Sequence, residues 1–362
     1  MPFIEEGGTA PRLIAHAPTR IAFVGSCPDG ILEPLTFASA EDAVAFAART
    51  GPEDTLGYAA CDFFAAGGRS AVVTAVPTGK PLRPAFEALD AVPDVGVVAL
   101  CPPTSTGLTA ADAQAGADYV SARRAVLLLA PAGAGADQHP DHLPELVAAL
   151  QLNDRQRSSV AAYGPWLLRG ERRAGTPVTP IGAVAGVLAH LDRIRGLWRA
   201  PAGAEATLPA GLRPVPRAAP EVLAAAGVNL VGDFPGHGVA IWGARTLADL
   251  ASGWRYLPVR RLALHIERSL ERGLQWVVCE PNGPALWDQV ALTVTDFLHG
   301  LWQAGALQGQ VPQEGFFVRC DRSTMTQNDL DNGRLVVLVG IAPLRPAEFT
   351  VIRIGIPTAS TP

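Results

Sequence analysis

The stretch RIAFVGS, residues 20–26, is a short apolar run that ends in glycine and serine. A run of this length next to turn residues predicts a buried β-strand. Similar runs follow at residues 70–76, 95–100, 125–130 and 159–163. Helical patterns lie between them, at residues 39–50 with Ser39 as the N-cap and at residues 144–152. The alternation of short strands and helices predicts an α/β fold for roughly the first 200 residues.

The chain changes character at residues 198–220, which are rich in proline, glycine and alanine. This composition predicts a connection between two domains. Beyond it, apolar residues at helical spacing predict helices at residues 260–272 and 284–305, with Gly273 ending the first of them. Strands are predicted at residues 274–281, 315–321, 334–343 and 348–356.

The last of these strands, EFTVIRIGI at residues 348–356, alternates between two faces. Pro343 and Pro346 separate it from the preceding strand. An unpaired strand edge is a template for pairing with another chain. We therefore expect another strand or segment to cover it.

The composition indicates a protein that buries surface against other subunits. Charged residues make up only 17% of the chain and apolar residues 48%, whereas about 25% charged residues is usual in a globular domain. Apolar runs are too short to span a membrane, and residues 1–11 lack the pattern of a signal peptide, which predicts assembly in the cytoplasm. A net charge of −5 without a basic run argues against nucleic acid as a partner.

Two polar or glycine-rich stretches first suggest ligand sites. The glycines of residues 231–247 fit neither the dinucleotide nor the P-loop spacing, and His237 lacks a second metal ligand nearby, so a turn followed by a strand is favoured. The acidic residues 321–333 fail the EF-hand spacing. They predict a short helix that begins at Ser323 or Thr324.

The five cysteines show no C-x-x-C spacing and are expected to be reduced thiols. A cysteine hydrolase could pair Cys279 or Cys320 with His265 or His299. Both cysteines fall in predicted apolar strands, where a thiol is normally inert. We assign no catalytic, cofactor-binding or metal-binding residue from the sequence.

Several long stretches carry a resemblance when they are taken together. They are VNLVGDFPGHGVAIWGARTL (228–247), WRYLPVRRLALHIERSLERGLQWVVCEPNGPALWDQV (254–290), FLHGLWQAGALQG (297–309) and FFVRCDRSTMTQNDLDNGRLVVLVGIAPLRPAEFTVIRI (316–354). Weaker matches lie at residues 3–6, 161–168 and 181–203. These stretches resemble the tail sheath protein family of contractile phage tails and related contractile injection particles.

This resemblance implies a structural subunit that is not an enzyme and needs no cofactor. Sheath subunits of this family form stacked six-fold rings around an inner tube, and their terminal arms add strands to sheets on neighbouring subunits. The donated strands correspond here to Phe3, Ile4, Glu5, Phe349, Val351, Ile352 and Ile354. The receiving sheet is expected to contain Val239, Ile241, Trp242, Val336, Val337 and Leu338.

The partners implied are other copies of the chain, an inner tube protein, and baseplate and terminator or cap proteins, with no insertion of the sheath into a membrane. Contact with the inner tube is expected through charge complementarity at Arg322, Gln327, Asp329 and Arg334. Contraction needs no nucleotide if the extended form is metastable. After assembly in the cytoplasm, the subunit is expected to belong to a phage tail or injection particle.

The expected organisation is a mixed α/β fold in four parts: an N-terminal arm (1–20), an α/β outer domain (21–200), a sheath core with mixed sheet and helices (201–345) and a C-terminal arm (346–362). Two alternatives stay open. One is an α/β enzyme that uses Ser26 or Cys27 after the first strand, although a tight turn is favoured there. The other is a different structural component of the same particle, such as a tube or baseplate protein.

Overall fold

The computed structural model describes residues 19–50, 55–103, 107–131, 142–170, 176–214, 220–249, 251–344 and 350–357. The chain folds into two compact units that meet in sequence at Arg261 and Leu262. We call residues 18–261 the N-terminal unit and residues 262–362 the C-terminal unit. The boundary near residue 200 expected from the sequence differs from this division, and the four-part organisation stays a prediction.

The N-terminal unit contains an eight-stranded sheet. Its strands are β1 (Arg20–Cys27), β2 (Ile31–Phe37), β3 (Ala71–Pro77), β4 (Val95–Cys101), β5 (Val126–Leu129), β6 (Val160–Gly164), β10 (Val228–Phe234) and β11 (Gly238–Trp242). A separate three-stranded sheet consists of β7 (Leu167–Arg169), β8 (Thr176–Val178) and β9 (Leu212–Pro214), in the order β8-β7-β9.

The large sheet has the order β11-β10-β6-β5-β4-β1-β3-β2. All of its pairings are parallel except those of the two edge strands, because β2 runs antiparallel to β3 and β11 antiparallel to β10. Strand β10 pairs with β6 through Val228↔Ala162, and this non-local pairing is why the unit extends beyond residue 200. The predicted α/β class is confirmed.

Helices cover the central strands, whose residues are almost all buried as a parallel sheet requires. They are α1 (Ala40–Thr50), α2 (Thr55–Ala65), α3 (Arg83–Ala88), α4 (Ala110–Ala122), α5 (Leu143–Ala149), α6 (Asp154–Arg157), α7 (Ile181–Arg195) and α8 (Pro220–Ala225). Phe86 of α3 and Leu223 of α8 belong to the hydrophobic core on one face, together with Val24 of β1. The adjacent Phe23 contacts Phe63 of α2, with ring centroids 5.5 Å apart.

Glycines allow α2 and α7 to pack with their backbones in close contact. A Cβ atom placed on Gly182 would lie 2.1 Å from the carbonyl oxygen of Ala59, and one on Gly186 would lie 2.3 Å from that of Phe63. Both distances are far below van der Waals contact. Glycine is therefore required at these two positions for α2 and α7 to approach as closely as they do.

The C-terminal unit combines helices with a second three-stranded sheet. Its elements are α9 (Leu257–Gly273, which begins just before the unit), α10 (Pro284–Gln303), α11 (Pro312–Gly315), β12 (Phe316–Arg319), α12 (Gln327–Asp331), β13 (Arg334–Ile341) and β14 (Thr350–Pro357). The two long helices bury the apolar residues predicted for them, including Leu262 and Ile266 of α9 and Val290 and Val294 of α10. Both helix predictions are confirmed.

Two local predictions in this unit are wrong. Residues 274–281 were expected to form a strand, but Gln275–Cys279 is a 3₁₀ helix that follows α9 directly. Only Val277 in it is buried, so the apolar run lacks the continuous burial of an inner strand. The short helix α12 is capped by Thr326 and not by Ser323 or Thr324.

Candidate assembly site

The C-terminal sheet has the order β12-β13-β14, with both pairings antiparallel. Strand β14 pairs with β13 along its whole length, from Arg334↔Pro357 to Ile341↔Thr350. Strand β12 pairs with the other edge of β13, from Phe316↔Ile341 to Arg319↔Leu338. The last strand of the chain therefore occupies a complete edge of the central strand of this sheet.

Strand β13 is the buried centre of the sheet. Leu335, Val337, Val339 and Ile341 are fully buried. Gly340 lies opposite Phe317 of β12, and a Cβ atom on Gly340 would be 2.0 Å from the Phe317 ring. The aromatic ring covers the space that a larger residue would need, which fixes β12 closely against β13.

The residues predicted to form the donated strands fall into two groups, those in β14 and those outside the described residues. Val351, Ile352 and Ile354 lie in β14, where they are paired with Gly340, Val339 and Val337 of β13. Phe3, Ile4, Glu5 and Phe349 lie outside the described residues. The sequence thus identified a strand that pairs, and in this structure its acceptor is β13 of the same chain.

The predicted receiving sheet does not exist as one sheet. Val336, Val337 and Leu338 lie in β13 of the C-terminal unit, whereas Val239, Ile241 and Trp242 lie in β11 of the N-terminal unit. Both segments are apolar runs within residues 201–345, the region expected to be the sheath core. Pairing partners that are distant in sequence separate them in the fold.

The outer edge of β11 is also closed by the chain itself. The N–H of Gly203 donates to the carbonyl of Ile241 at 2.8 Å, and the N–H of Ile241 donates to the carbonyl of Ala206 at 3.0 Å. A third bond of 2.8 Å joins the N–H of Leu208 to the carbonyl of Val239. Because these backbone groups are already paired, β11 cannot form a ladder of backbone hydrogen bonds with another chain along Val239 and Ile241.

The glycine-rich stretch before β11 forms the expected turn. Strands β10 and β11 are a hairpin in which Phe234 pairs with Gly238, and the N–H of His237 donates to the carbonyl of Phe234. Gly236 and Gly238 have φ values of 82° and 71°, a conformation that favours glycine. His237 is an exposed turn residue.

The four residues predicted to contact an inner tube lie together in and beside α12. One guanidinium nitrogen of Arg322 donates to Gln327 Oε1 at 2.7 Å, and the other donates to the carbonyl of Met325 at 3.0 Å. Arg334 forms an ion pair of 3.1 Å with Asp329. These four residues lie on the segment around α12 and at the start of β13, and Asp331 of the same segment accepts a hydrogen bond from Gln327.

Hydrogen bonds hold this loop in place. Thr326 and Asp329 form a capping box, in which each side chain accepts a hydrogen bond from the backbone N–H of the other. The hydroxyl of Thr324 lies 2.8 Å from the carbonyl of Val336 and fastens the loop to β13. Bonds from the Ser323 hydroxyl and backbone N–H lower the pKa of Asp321. The pattern T-x-x-D at residues 326–329, which the sequence prediction overlooked, is the signal that identifies this cap.

The structure shows the surroundings of the cysteines and the serine that were considered for enzyme chemistry. Cys320 is buried, and burial raises the pKa of its thiol to about 12. Cys279 is exposed on the 3₁₀ helix, which contradicts its predicted place in a buried strand. Ser26 and Cys27 are both buried at the end of β1, where the Cys27 carbonyl accepts hydrogen bonds from Gly30 and Thr78.

Within the described ranges, no group of three or more His, Cys, Asp or Glu side chains is arranged to hold a metal ion. The helices of the described part of the chain include none that is long and apolar enough to cross a membrane.

Part of the chain is similar in sequence to proteins of a known family. A family model described as the phage tail sheath C-terminal domain matches residues 251–356. The tail sheath protein of Vibrio phage KVP40 is 22% identical over 175 residues, which are 47% of this chain and 25% of that protein. The chain therefore spans about a quarter of the length of this relative.

Solved structures match almost the whole chain. The sheath complex of the PVC extracellular contractile injection system in its contracted state is 26% identical, with a TM-score of 0.76, and the match covers 98% of this chain and 96% of that one. The contracted helical sheath of the anti-feeding prophage is 26% identical, with a TM-score of 0.74 and 98% coverage of both chains.

The α/β architecture is similar to that of contractile sheath proteins over nearly the whole chain, and residues 251–356 match the C-terminal domain of phage tail sheaths. The chain is thus similar to the sheath proteins of phage tails and of the PVC and anti-feeding prophage injection systems.

Proposed function

We propose that this chain is the structural subunit of a contractile sheath, which polymerises as stacked six-fold rings around an inner tube and drives the tube through a target envelope by contracting. Its neighbours in the particle are further copies of the chain, the inner tube protein, and baseplate and terminator or cap proteins. The role needs no catalytic residue and no cofactor. Assembly takes place in the cytoplasm of the producing cell.

The pairing of β14 with β13 is the observation that carries this proposal. Strand addition gains main-chain hydrogen bonds along a full edge. In this chain the acceptor edge extends over all of β13, whose residues are almost entirely buried and therefore fixed in position. When one copy adds its β14 to the β13 of the next, the contact is heterologous, and repetition of such a contact generates a helical array.

The loop around α12 is the proposed contact with the inner tube. Arg322 is exposed beside Gln327, and about half of the Arg334 side chain is exposed although it pairs with Asp329. The loop thus presents charged side chains of both signs, the arginines Arg322 and Arg334 beside three aspartates of residues 321–331, on a backbone that its cap and Thr324 hold in place. We expect binding to the tube that weakens with salt.

Energy for contraction comes from assembly in this proposal. A sheath built in a metastable extended form stays extended because of a kinetic barrier, and it contracts when that barrier is crossed. Strand pairing keeps the rings joined during this change, because hydrogen bonds along β13 do not depend on how the subunits rotate as rigid bodies.

Removal of the donated strand tests the proposal. A chain lacking residues 348–362 loses all of β14, and we expect it to remain folded but to form no long hollow cylinders in negative-stain electron microscopy. The matched control lacks only residues 358–362, which follow β14. We expect this control to assemble like the full chain when both are concentrated, alone and with tube protein.

Circular dichroism and thermal unfolding establish that both truncated chains are folded before assembly is scored. Normal cylinders from the chain that lacks β14 would contradict strand donation by the C-terminus. Compact particles from the full-length chain under every condition would contradict the sheath function itself.

A further inference from the structure

The acceptor edge of β13 is filled within a single chain. All eight residues of β13 are paired with residues in β14 of the same molecule. On its other side β13 is paired with β12 at residues 338–341. A second copy therefore finds no open edge along the full length of β13, and it must displace β14 before it can add its own strand.

We propose that β14, paired with β13 of its own chain, is an autoinhibitory strand that keeps the free subunit from polymerising until exchange with a neighbouring copy. This inference rests on the proposed sheath function and adds a step to it. The same eight backbone pairings exist before and after exchange, so the exchange itself changes few contacts. Whether β14 pairs with its own β13 or with that of a neighbour is therefore decided by the local concentration of competing strands.

The length of the connection gives the closed form its advantage. Residues 342–349 separate the two strands. A connection this short holds its strand at an effective concentration in the millimolar range. Against micromolar free subunits, the strand of the same chain is favoured by about 10³-fold. Exchange is expected to succeed where copies are aligned at a growing end, because there the neighbour's strand is also held close.

The same connection limits which copy can receive the strand. Fully extended, the backbone between Ile341 and Thr350 reaches about 30 Å at 3.3–3.6 Å per residue. The Ile341 end of an acceptor β13 must therefore lie within about 30 Å of the Ile341 end of the donor's own β13. Copies farther away in the array cannot be partners in this exchange.

A cysteine pair across the two strands tests the proposal. Leu338 and Arg353 lie directly opposite each other, and Leu338 is only partly buried. Directly opposed residues in an antiparallel pair lie about 4.5–5.5 Å apart, within the range of a disulfide. The variant L338C/R353C is made in a C279S background, because Cys279 is the exposed native cysteine. The single variants L338C and R353C are the matched controls.

Oxidation of the unassembled double variant is expected to give a disulfide within one chain and to reduce assembly at least tenfold, with recovery after reduction. Oxidation after assembly is expected to give a ladder of covalently joined chains on a non-reducing gel. The single variants should show neither effect. If L338C/R353C fails to fold, the partners Val336 and Gly355 provide a second pair, V336C/G355C.

Three outcomes separate the claims. If the oxidised double variant assembles as fast as the reduced one, β14 is not inhibitory. If oxidation of assembled cylinders yields only single-chain products, the strand stays on its own chain and exchange does not occur. Both results leave the sheath proposal standing, whereas that proposal fails if the unmodified chain never forms cylinders.

Discussion

Substitution of Gly182 by alanine tests the packing argument for the N-terminal unit, because two effects of opposite sign compete. Helix propensity alone favours alanine over glycine by about 1 kcal/mol. The new Cβ atom would lie 2.1 Å from the Ala59 carbonyl oxygen and 2.5 Å from the Ala59 Cα. Ordinary contact begins at 3.4 Å, so α2 and α7 must separate by about 1.3 Å (3.4 minus 2.1).

Backbone atoms cannot rotate away as a flexible side chain can, so the helices themselves must shift. Overpacking of this kind costs about 1–3 kcal/mol, and a clash with backbone belongs at the upper end. We therefore expect a net loss of about 1–2 kcal/mol in the free energy of unfolding. For a unit of this size, the melting temperature should fall by about 3–6 °C.

The assay is thermal and urea unfolding of Gly182→Ala beside Gly300→Ala. Gly300 lies in α10, and a Cβ atom there would have nothing within 4 Å. The control should therefore be stabilised by about 0.5–1 kcal/mol. If Gly182→Ala is as stable as the unsubstituted protein or more so, the close contact between the α2 and α7 backbones does not constrain the fold.

Two further predictions concern the C-terminal unit. Arg322→Glu is expected to weaken co-assembly with tube protein at least tenfold at low salt. The control Thr326→Ala removes the helix cap but no charge, and it should leave co-assembly within about twofold of the unsubstituted chain. Equal effects of the two substitutions would show that loop structure and not charge is responsible. In the folded protein at pH 8, Cys279 should be alkylated rapidly and Cys320 slowly, because Cys320 is buried and the pKa of its thiol is raised to about 12. Mass spectrometry measures the two modification rates, and equal rates would contradict this difference.

The sequence predicted the elements that depend on local pattern. The apolar run that became β1 and the helical spacing that became α10 were placed within a few residues of their observed bounds. Such segments are decided by burial periodicity and by terminal signals such as Pro284 and Gly273. The same reasoning found the strand β14 from the alternation of its residues.

Features that depend on distant partners were not predictable in this way. The pairing of β10 with β6 placed the unit boundary beyond residue 200, and no local pattern near residue 200 records it. The closure of β11 by residues 203–208 likewise joins an apolar strand to a segment without periodicity. Strands β11 and β13 are both apolar runs in the sequence. Only their pairing partners show that the edge of β11 is closed and that β13 pairs with β14.

Gly340 illustrates a limit of the same kind within the candidate site. A glycine inside an apolar strand indicates a bulge or a close approach. The residue responsible, Phe317, lies more than twenty positions earlier and contacts Gly340 only because β12 pairs with β13. The residue type therefore signals a constraint, while the fold identifies its cause.

The most direct test of the sheath function is a helical reconstruction by electron microscopy of the full-length chain assembled with tube protein. We predict a hollow cylinder of stacked six-fold rings, in which each β13 pairs with the β14 of a neighbouring subunit at Ile341 ends within about 30 Å of each other. Discrete compact particles without a central channel would contradict the sheath function, and six-fold cylinders whose subunits touch without any strand passing between them would contradict strand donation.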